Sequence, residues 1–297
     1  KDSELVKVFS GLDVLSKNPK KYIRGVNIGL VVNHTSITKD HIHSIILLKN
    51  MDDFKIVKLF APEHGLYGVE QDMAEVPAAK DPIYGLKIES LYGKDSSSLI
   101  PKVKEFCDID TLIFDIQDIG SRYYTFIYTM ANCMKVCKEA GIRLVVCDRP
   151  NPINGIQIEG NLVQDDQRSF VGQYPLLNRH GMTVGELAQL FNNEYNLNCD
   201  LKVVLLEGWK REMWYNETGL PWVAPSPNMP ALGTAVVYPG MCLVEGTHLS
   251  EGRGTTQPFE LSGAPYIESL NLANTLNREK LPGVIFRPHL MFYYQLI

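Results

Sequence analysis

Thr111-Leu112-Ile113-Phe114-Asp115 and Ile142-Arg143-Leu144-Val145-Val146-Cys147-Asp148 are short, nearly unbroken apolar runs, and each ends on an aspartate. Between them Phe126, Met130, Cys133 and Cys137 recur at helical spacing until Gly141 stops the pattern. A strand with one wet face alternates polar and apolar residues. Runs without that alternation are covered on both faces, as in a parallel sheet whose crossovers are helices. Right-handed crossovers are expected.

The same rhythm extends outward. Val26 to Val32 reads as a strand, followed by Asn33-His34-Thr35-Ser36 and a helical stretch from His41 to Lys49. Phe54-Lys55-Ile56-Val57-Lys58-Leu59-Phe60 is the next strand, and a polar loop runs on to about Pro82. A short strand is expected from Ile88 to Tyr92 and a helix from Leu99 to Phe106. Past Gly160 the composition changes. Thr183-Val184-Gly185-Glu186 is a capping box that opens a helix through Phe191, Leu201 to Leu206 is a strand candidate, and Gly, Pro and Trp then dominate. The fold class predicted is α/β: a Rossmann-like parallel sheet with helices on both faces, plus a smaller loop-rich α+β domain. The division is placed so that residues 1–164 carry the strand-end carboxylates and residues 165–297 close a cleft over them.

Bulk properties remove several functions. The chain has 297 residues, enough for one large core and a smaller one. Its net charge of -5, with Lys and Arg scattered singly, argues against nucleic acid as a partner. No apolar run approaches the length of a membrane span. Asn33-His34-Thr35-Ser36 stands where G-x-G-x-x-G would have to follow the first strand, and G-x-x-x-x-G-K-[ST] does not occur, so neither a nicotinamide nor a nucleoside triphosphate is expected. There is no CxxC or H-E-x-x-H, so no metal and no other cofactor is expected, and most of the cysteines read as small core residues. A serine nucleophile lacks its G-x-S-x-G elbow. The chain starts at Lys1, consistent with either a processed or a trimmed end.

Open parallel sheets bind ligands beyond the carboxyl ends of their strands. Those ends deliver Asn33; then Glu63 and His64; then Asp115, Gln117 and Asp118; then Asp148 and Arg149. Converging carboxylates suit general acid–base work, because burial and mutual repulsion separate their pKa values. Glu63 directly follows an apolar strand and is the acid candidate; Asp115 is the candidate partner, with Glu70, Asp118 and Glu251 as rivals. Arg122 and Arg149 carry guanidinium forks for an anionic ligand, or else pair with Asp118 and Asp148 to hold loops. Asn151 and Asn154 lie in a Pro- and Gly-bounded segment that favours turns. Glu245 to Thr256 is dense in glycine, charge and hydroxyls, and Glu245, His248, Glu251 and Arg253 within it are candidates to wrap a polar ligand. Trp209, Trp214 and Trp222 offer either a stacking platform for a sugar or ordinary packing.

Taken in order, Asn33-His34-Thr35-Ser36, Pro62-Glu63-His64-Gly65, the stretch from Phe114 to Phe126, and Asp148-Arg149-Pro150-Asn151-Pro152 resemble the YbbC/NamZ family. Arg179-His180-Gly181-Met182-Thr183, Pro225-Ser226-Pro227-Asn228-Met229-Pro230 and the stretch from Ser250 to Thr256 extend the likeness over most of the chain. The resemblance implies an exo-β-N-acetylmuramidase of bacterial cell-wall turnover, periplasmic or secreted. It would release N-acetylmuramic acid from non-reducing ends of peptidoglycan fragments such as MurNAc-GlcNAc or muropeptides. It implies Glu63 as general acid, and a lactyl carboxylate for Arg122 or Arg149 to bind. A non-catalytic muropeptide-binding or cell-wall protein using the same cleft is the alternative. His248 stands where the family more usually has Asn, and the tail from Leu290 to Ile297 departs from the usual continuation, so the second domain is expected to be differently finished.

Overall fold

In a computed structural model, residues 7–68, 79–91 and 100–290 are described. The chain divides into two compact units, Lys1–Pro239 and Gly240–Ile297.

The first unit is built on one sheet. Its strands are β1 (Asn27–Val32), β2 (Lys55–Ala61), β3 (Ala79–Lys80), β4 (Lys87–Ser90), β5 (Thr111–Asp115), β6 (Arg143–Cys147) and β7 (Asp200–Val204). Their order is β3-β4-β2-β1-β5-β6-β7. Only β3 runs antiparallel, against β4; the remaining pairs are parallel. Every residue of β5 is buried, and only the first residue of β1 and of β6 is partly open, as unalternating apolar runs require.

Helices cover both faces. Leu12 and Leu15 of α1 (Gly11–Lys17) and Ile45 and Leu48 of α2 (Ser44–Lys49) pack with Ile28, Leu30, Val32, Ile113, Val145 and Cys147. α3 (Phe126–Ala140) and α4 (Val184–Asn193) pack on β6 and β7 and on each other. Cys133, Cys137, Cys147 and Cys199 are buried and unpaired. Gly141 closes α3 in the left-handed conformation, and the capping box of Thr183 and Glu186 opens α4. α1, which opens on a capping box of Ser10 and Asp13, lies ahead of the first strand read from sequence. The helix expected from Leu99 to Phe106 is a 3-10 turn at Val103–Phe106; Leu99 lies outside the described residues, as does Tyr92.

The division expected at residues 164 and 165 is corrected. β7 hydrogen-bonds to β6, and α4 packs on both strands, so the chain beyond residue 164 completes the first sheet. The change in composition there marks a long excursion over this unit. α5 (Leu232–Met241) carries the chain across the actual division. Among its described residues, the second unit holds a 3-10 segment at Cys242–Gly246, one isolated bridge between Ser250 and Gly263, and α6 (Ser269–Arg278).

The sheet's register aligns the strand ends. Val32 of β1 lies opposite Asp115 of β5, and Phe114 opposite Val146 of β6. Chain order reverses beside β1, since β2 lies on one side of it and β5 on the other. That is where a parallel sheet leaves a crevice at its carboxyl edge.

Candidate active site

Glu63 and His64 follow β2 directly and are both buried, at 8% and 6% exposure. The chain turns sharply there. His64 and Gly65 take positive φ values of 67° and 76°, and the Gly65 N–H donates to the Pro62 carbonyl at 3.0 Å. A non-glycine residue in the left-handed region costs about 1–2 kcal/mol, a strain that recurs where a side chain is held for function. Gly68, at φ 68°, packs against the His34 imidazole so closely that a Cβ would lie 1.9 Å from its Cε1. The Thr125 hydroxyl donates to Glu63 Oε2 at 2.5 Å.

At the end of β1, Asn33 is fully buried. Its Oδ1 accepts from the Thr35 N–H at 2.9 Å and the Thr35 hydroxyl at 2.6 Å, an Asx turn. Oδ1 of Asn33 is thus engaged in a turn, while its Nδ2 is buried with no hydrogen-bond partner among the described residues. His34, beside it, donates from Nε2 to the Ala224 carbonyl at 2.5 Å, which leaves Nδ1 as an acceptor. Burial lowers its pKa, and the nearby His64 and His43 lower it further, against the opposing effect of the Ala224 bond.

Asp115 and Arg149 form a buried ion pair, 2.7 Å from Oδ1 to Nε, with side chains 0% and 4% exposed. Arg149 also donates to the Ile37 carbonyl at 3.0 Å, so the pair ties the ends of β5 and β6 to the loop after β1. Burial works against the Arg149 charge, but Asp115 outweighs it and holds the guanidinium above its ordinary pKa. Arg149 is thus spent on Asp115, where Asp148 was the expected partner. This corrects two expectations: Asp115 as a catalytic carboxylate in contact with substrate, and Arg149 as a fork for an anionic ligand.

Asp118 accepts from the Gly120 N–H at 2.7 Å and from His180 Nε2 at 3.2 Å, all on Oδ2. The Met182 N–H donates to His180 Nδ1 at 3.1 Å, which places the imidazole proton on Nε2, facing Asp118. Arg122 does not pair with Asp118. Its Nη1 donates to the Leu176 carbonyl at 2.8 Å and to that of Asn161, pinning the excursion between β6 and α4.

Asp148 caps α4. It accepts from the Gly185 N–H at 2.7 Å and the Thr183 hydroxyl at 3.1 Å. Burial raises its pKa to about 6 despite those two bonds. Asn151 holds a turn, accepting from the Ile153 N–H and donating to the Met182 carbonyl. Neither residue presents a side chain to ligand, so both binding assignments are corrected to structural ones. The tryptophans also serve packing: Arg211 lies over Trp209, Arg179 over Trp214, and Tyr215 meets Trp222 edge to face.

In the second unit, Arg253 lies 2.9 Å from Glu245 and 3.6 Å from Glu251, above the Phe259 ring. His248 is exposed. Glu245, Glu251 and Arg253 form a local polar cluster. Glu70 lies outside the described residues. Among the described residues no group of His, Cys, Asp and Glu is arranged to hold a metal ion.

Residues 28–233 match the N-terminal domain profile of the exo-β-N-acetylmuramidase NamZ, and residues 236–292 match its C-terminal profile. The chain belongs to the NamZ family. The boundary between the two NamZ profiles falls beside the observed division, and far from residue 164. A Bacillus subtilis relative, peptidoglycan β-N-acetylmuramidase NamZ, is 48% identical over 281 residues, covering 95% of this chain and 67% of the relative. Two crystal structures of DUF1343-family proteins from Bacteroides fragilis are similar. One has a TM-score of 0.86 at 40% identity, over 95% of this chain and 72% of the other. The second has a TM-score of 0.75 at 32% identity, over 88% and 68%.

Sequence reasoning missed Thr125 and His180 in this NamZ-family chain. Thr125 precedes a helix, where a threonine ordinarily means only a cap. His180 lies 62 residues from its aspartate, and no local pattern links them.

Proposed function

We propose that the chain is an exo-acting glycoside hydrolase that releases N-acetylmuramic acid from the non-reducing ends of peptidoglycan fragments, with Glu63 as its general acid. The observation that carries this reading is 48% identity over 95% of the chain to a peptidoglycan β-N-acetylmuramidase. Geometry supports Glu63: it sits at the carboxyl edge of a parallel sheet, beside the strand where chain order reverses, on a strained turn.

The leaving sugar oxygen needs a proton as the C1–O bond breaks, and a carboxyl at the edge of a crevice supplies it. Asp115 is spent on Arg149 and is shut away from any sugar. In this proposal the second group is the substrate's own, ahead of the rival carboxylates Glu70, Asp118 and Glu251. The substrate's 2-acetamido oxygen bonds to C1 as Glu63 protonates the leaving group; water then opens that ring from the other side and returns a proton to Glu63. Action on a wall polymer implies an exported protein, periplasmic or secreted.

The test is release of free N-acetylmuramic acid from MurNAc-GlcNAc. Wild type turns over, and Glu63→Gln, which keeps size and removes the acid, loses about 100-fold or more in kcat. Undiminished turnover in Glu63→Gln removes Glu63 from the mechanism. Binding of the disaccharide without turnover in wild type makes the protein a receptor for these fragments.

A further inference from the structure

We infer that Thr125 is the positioning residue for the acid: its hydroxyl fixes Glu63 Oε2 and so directs the carboxyl toward the bond to be broken. The inference rests on the reading of Glu63 as general acid.

Thr125 stands immediately before α3, where a threonine side chain ordinarily accepts a helix N–H. Here it makes no such cap; its backbone is helical, with φ -71° and ψ -14°, and its hydroxyl is turned to Glu63 at 2.5 Å. The backbone beneath that hydroxyl is held firmly. The Thr125 carbonyl accepts from the N–H groups of Tyr128 and Thr129, both at 3.0 Å, and from the Thr129 hydroxyl at 3.4 Å. Phe126, next in the chain, is buried and meets the Tyr124 ring edge to face. The donor is thus carried at the start of a 15-residue helix, while its acceptor stands on a turn.

A glutamate has three side-chain torsions, and freezing a long side chain costs up to about 2 kcal/mol. An acid left to wander spends much of its time mispointed, and proton transfer needs donor and acceptor within hydrogen-bond reach. Thr125 itself gives and takes no proton in the reaction. Thr125 is only half-buried, so the residue that carries the hydroxyl is not sealed in closed core.

The test compares Thr125→Val, which keeps the shape and removes the hydroxyl, with Thr125→Ser, which keeps the hydroxyl. Both are assayed on MurNAc-GlcNAc beside Glu63→Gln, with rates expressed per folded protein. Thr125→Val is expected to lose about 10- to 100-fold in kcat with KM within about twofold, the pattern of an interaction that matters in the transition state. Thr125→Ser is expected to stay within about threefold of wild type. A Thr125→Val enzyme with wild-type kcat beside an inactive Glu63→Gln overturns the inference and leaves the role of Glu63 intact. An active Glu63→Gln refutes the acid assignment itself. A rise in KM at unchanged kcat also overturns the inference, since it marks a ground-state contact. Should Thr125→Val fail to fold, Thr125→Ala is read by the same criteria.

Discussion

Asp148 shows what a single residue at the sheet's rim does when burial competes with hydrogen bonding. Two donors, the Gly185 N–H and the Thr183 hydroxyl, favour its charged form. Burial opposes them and wins, raising the pKa from 3.8 to about 6. The folded protein therefore keeps this proton up to about pH 6, whereas an unfolded chain releases it near 3.8. Stability from Asp148 is fully present below the unfolded value and is lost as pH rises through the folded one. The span corresponds to up to about 3 kcal/mol. Asp148→Asn keeps an acceptor for Gly185 and offers an amide to Thr183 without a titrating proton. Denaturant unfolding from pH 4 to pH 7 is expected to show a fall in wild-type stability that the variant lacks. Parallel curves for the two proteins would contradict the assignment. The neighbouring ion pair follows a different rule: Asp115 and Arg149 are both buried, and Asp115 outweighs the burial that works against the Arg149 charge.

Among the elements, α4 shows most clearly how local sequence and tertiary contact share one job. Thr183 caps the helix by accepting from the Glu186 N–H at 3.2 Å, and Glu186 answers by accepting from the Thr183 N–H at 3.0 Å. The Thr183 hydroxyl also donates to Asp148, so one side chain caps α4 and joins it to the end of β6. Gly185 must be glycine for the same approach, because a Cβ would lie 2.7 Å from the Asp148 carboxyl carbon. Thr183→Ala removes both bonds and is expected to cost about 1–2 kcal/mol, read as a lower denaturation midpoint at unchanged m-value. A loss below about 0.3 kcal/mol would mean that water replaces the cap. The capping box was legible in sequence because it is local, and so were β1, β2, β5 and β6, since strands buried on both faces need runs such as Leu112-Ile113-Phe114. The carboxylate two residues beyond β2 stood out for a related reason: Glu63 follows such a run with a charge. The partners of these side chains were not. Arg149 chose Asp115, 34 positions away, over its neighbour Asp148, because the register brings β5 beside β6. Thr125 reaches Glu63 across 62 positions, a pairing that only the sheet order creates.

At the scale of the whole chain, the question is where one folding unit ends. Composition pointed to residue 164, because glycine, proline and tryptophan accumulate beyond it. Composition records how much irregular chain a region has, and not which core that chain covers. Residues 165–239 hold β7, which completes the sheet beside β6, and α4, whose Leu187, Ala188 and Phe191 are buried in the same unit. A fragment of residues 1–164 would leave the backbone of β6 unpaired along one edge. It would also uncover the face of α3 on which α4 packs. An exposed, apolar edge strand recruits other chains. Burying one Leu or Phe side chain is worth about 1.5–3 kcal/mol, and net domain stability is only about 5–15 kcal/mol, so the loss of Leu187, Phe191 and Val204 together removes most of it. The fragment 1–164 is accordingly expected to aggregate or remain unfolded. A fragment of residues 1–239 retains every strand and both helical layers of the described sheet, and is expected to unfold in one cooperative transition. Circular dichroism with denaturant titration of the two fragments decides between the boundaries. A cooperative, monomeric 1–164 would restore the division that composition suggests, and would demote β7 and α4 to a removable flank.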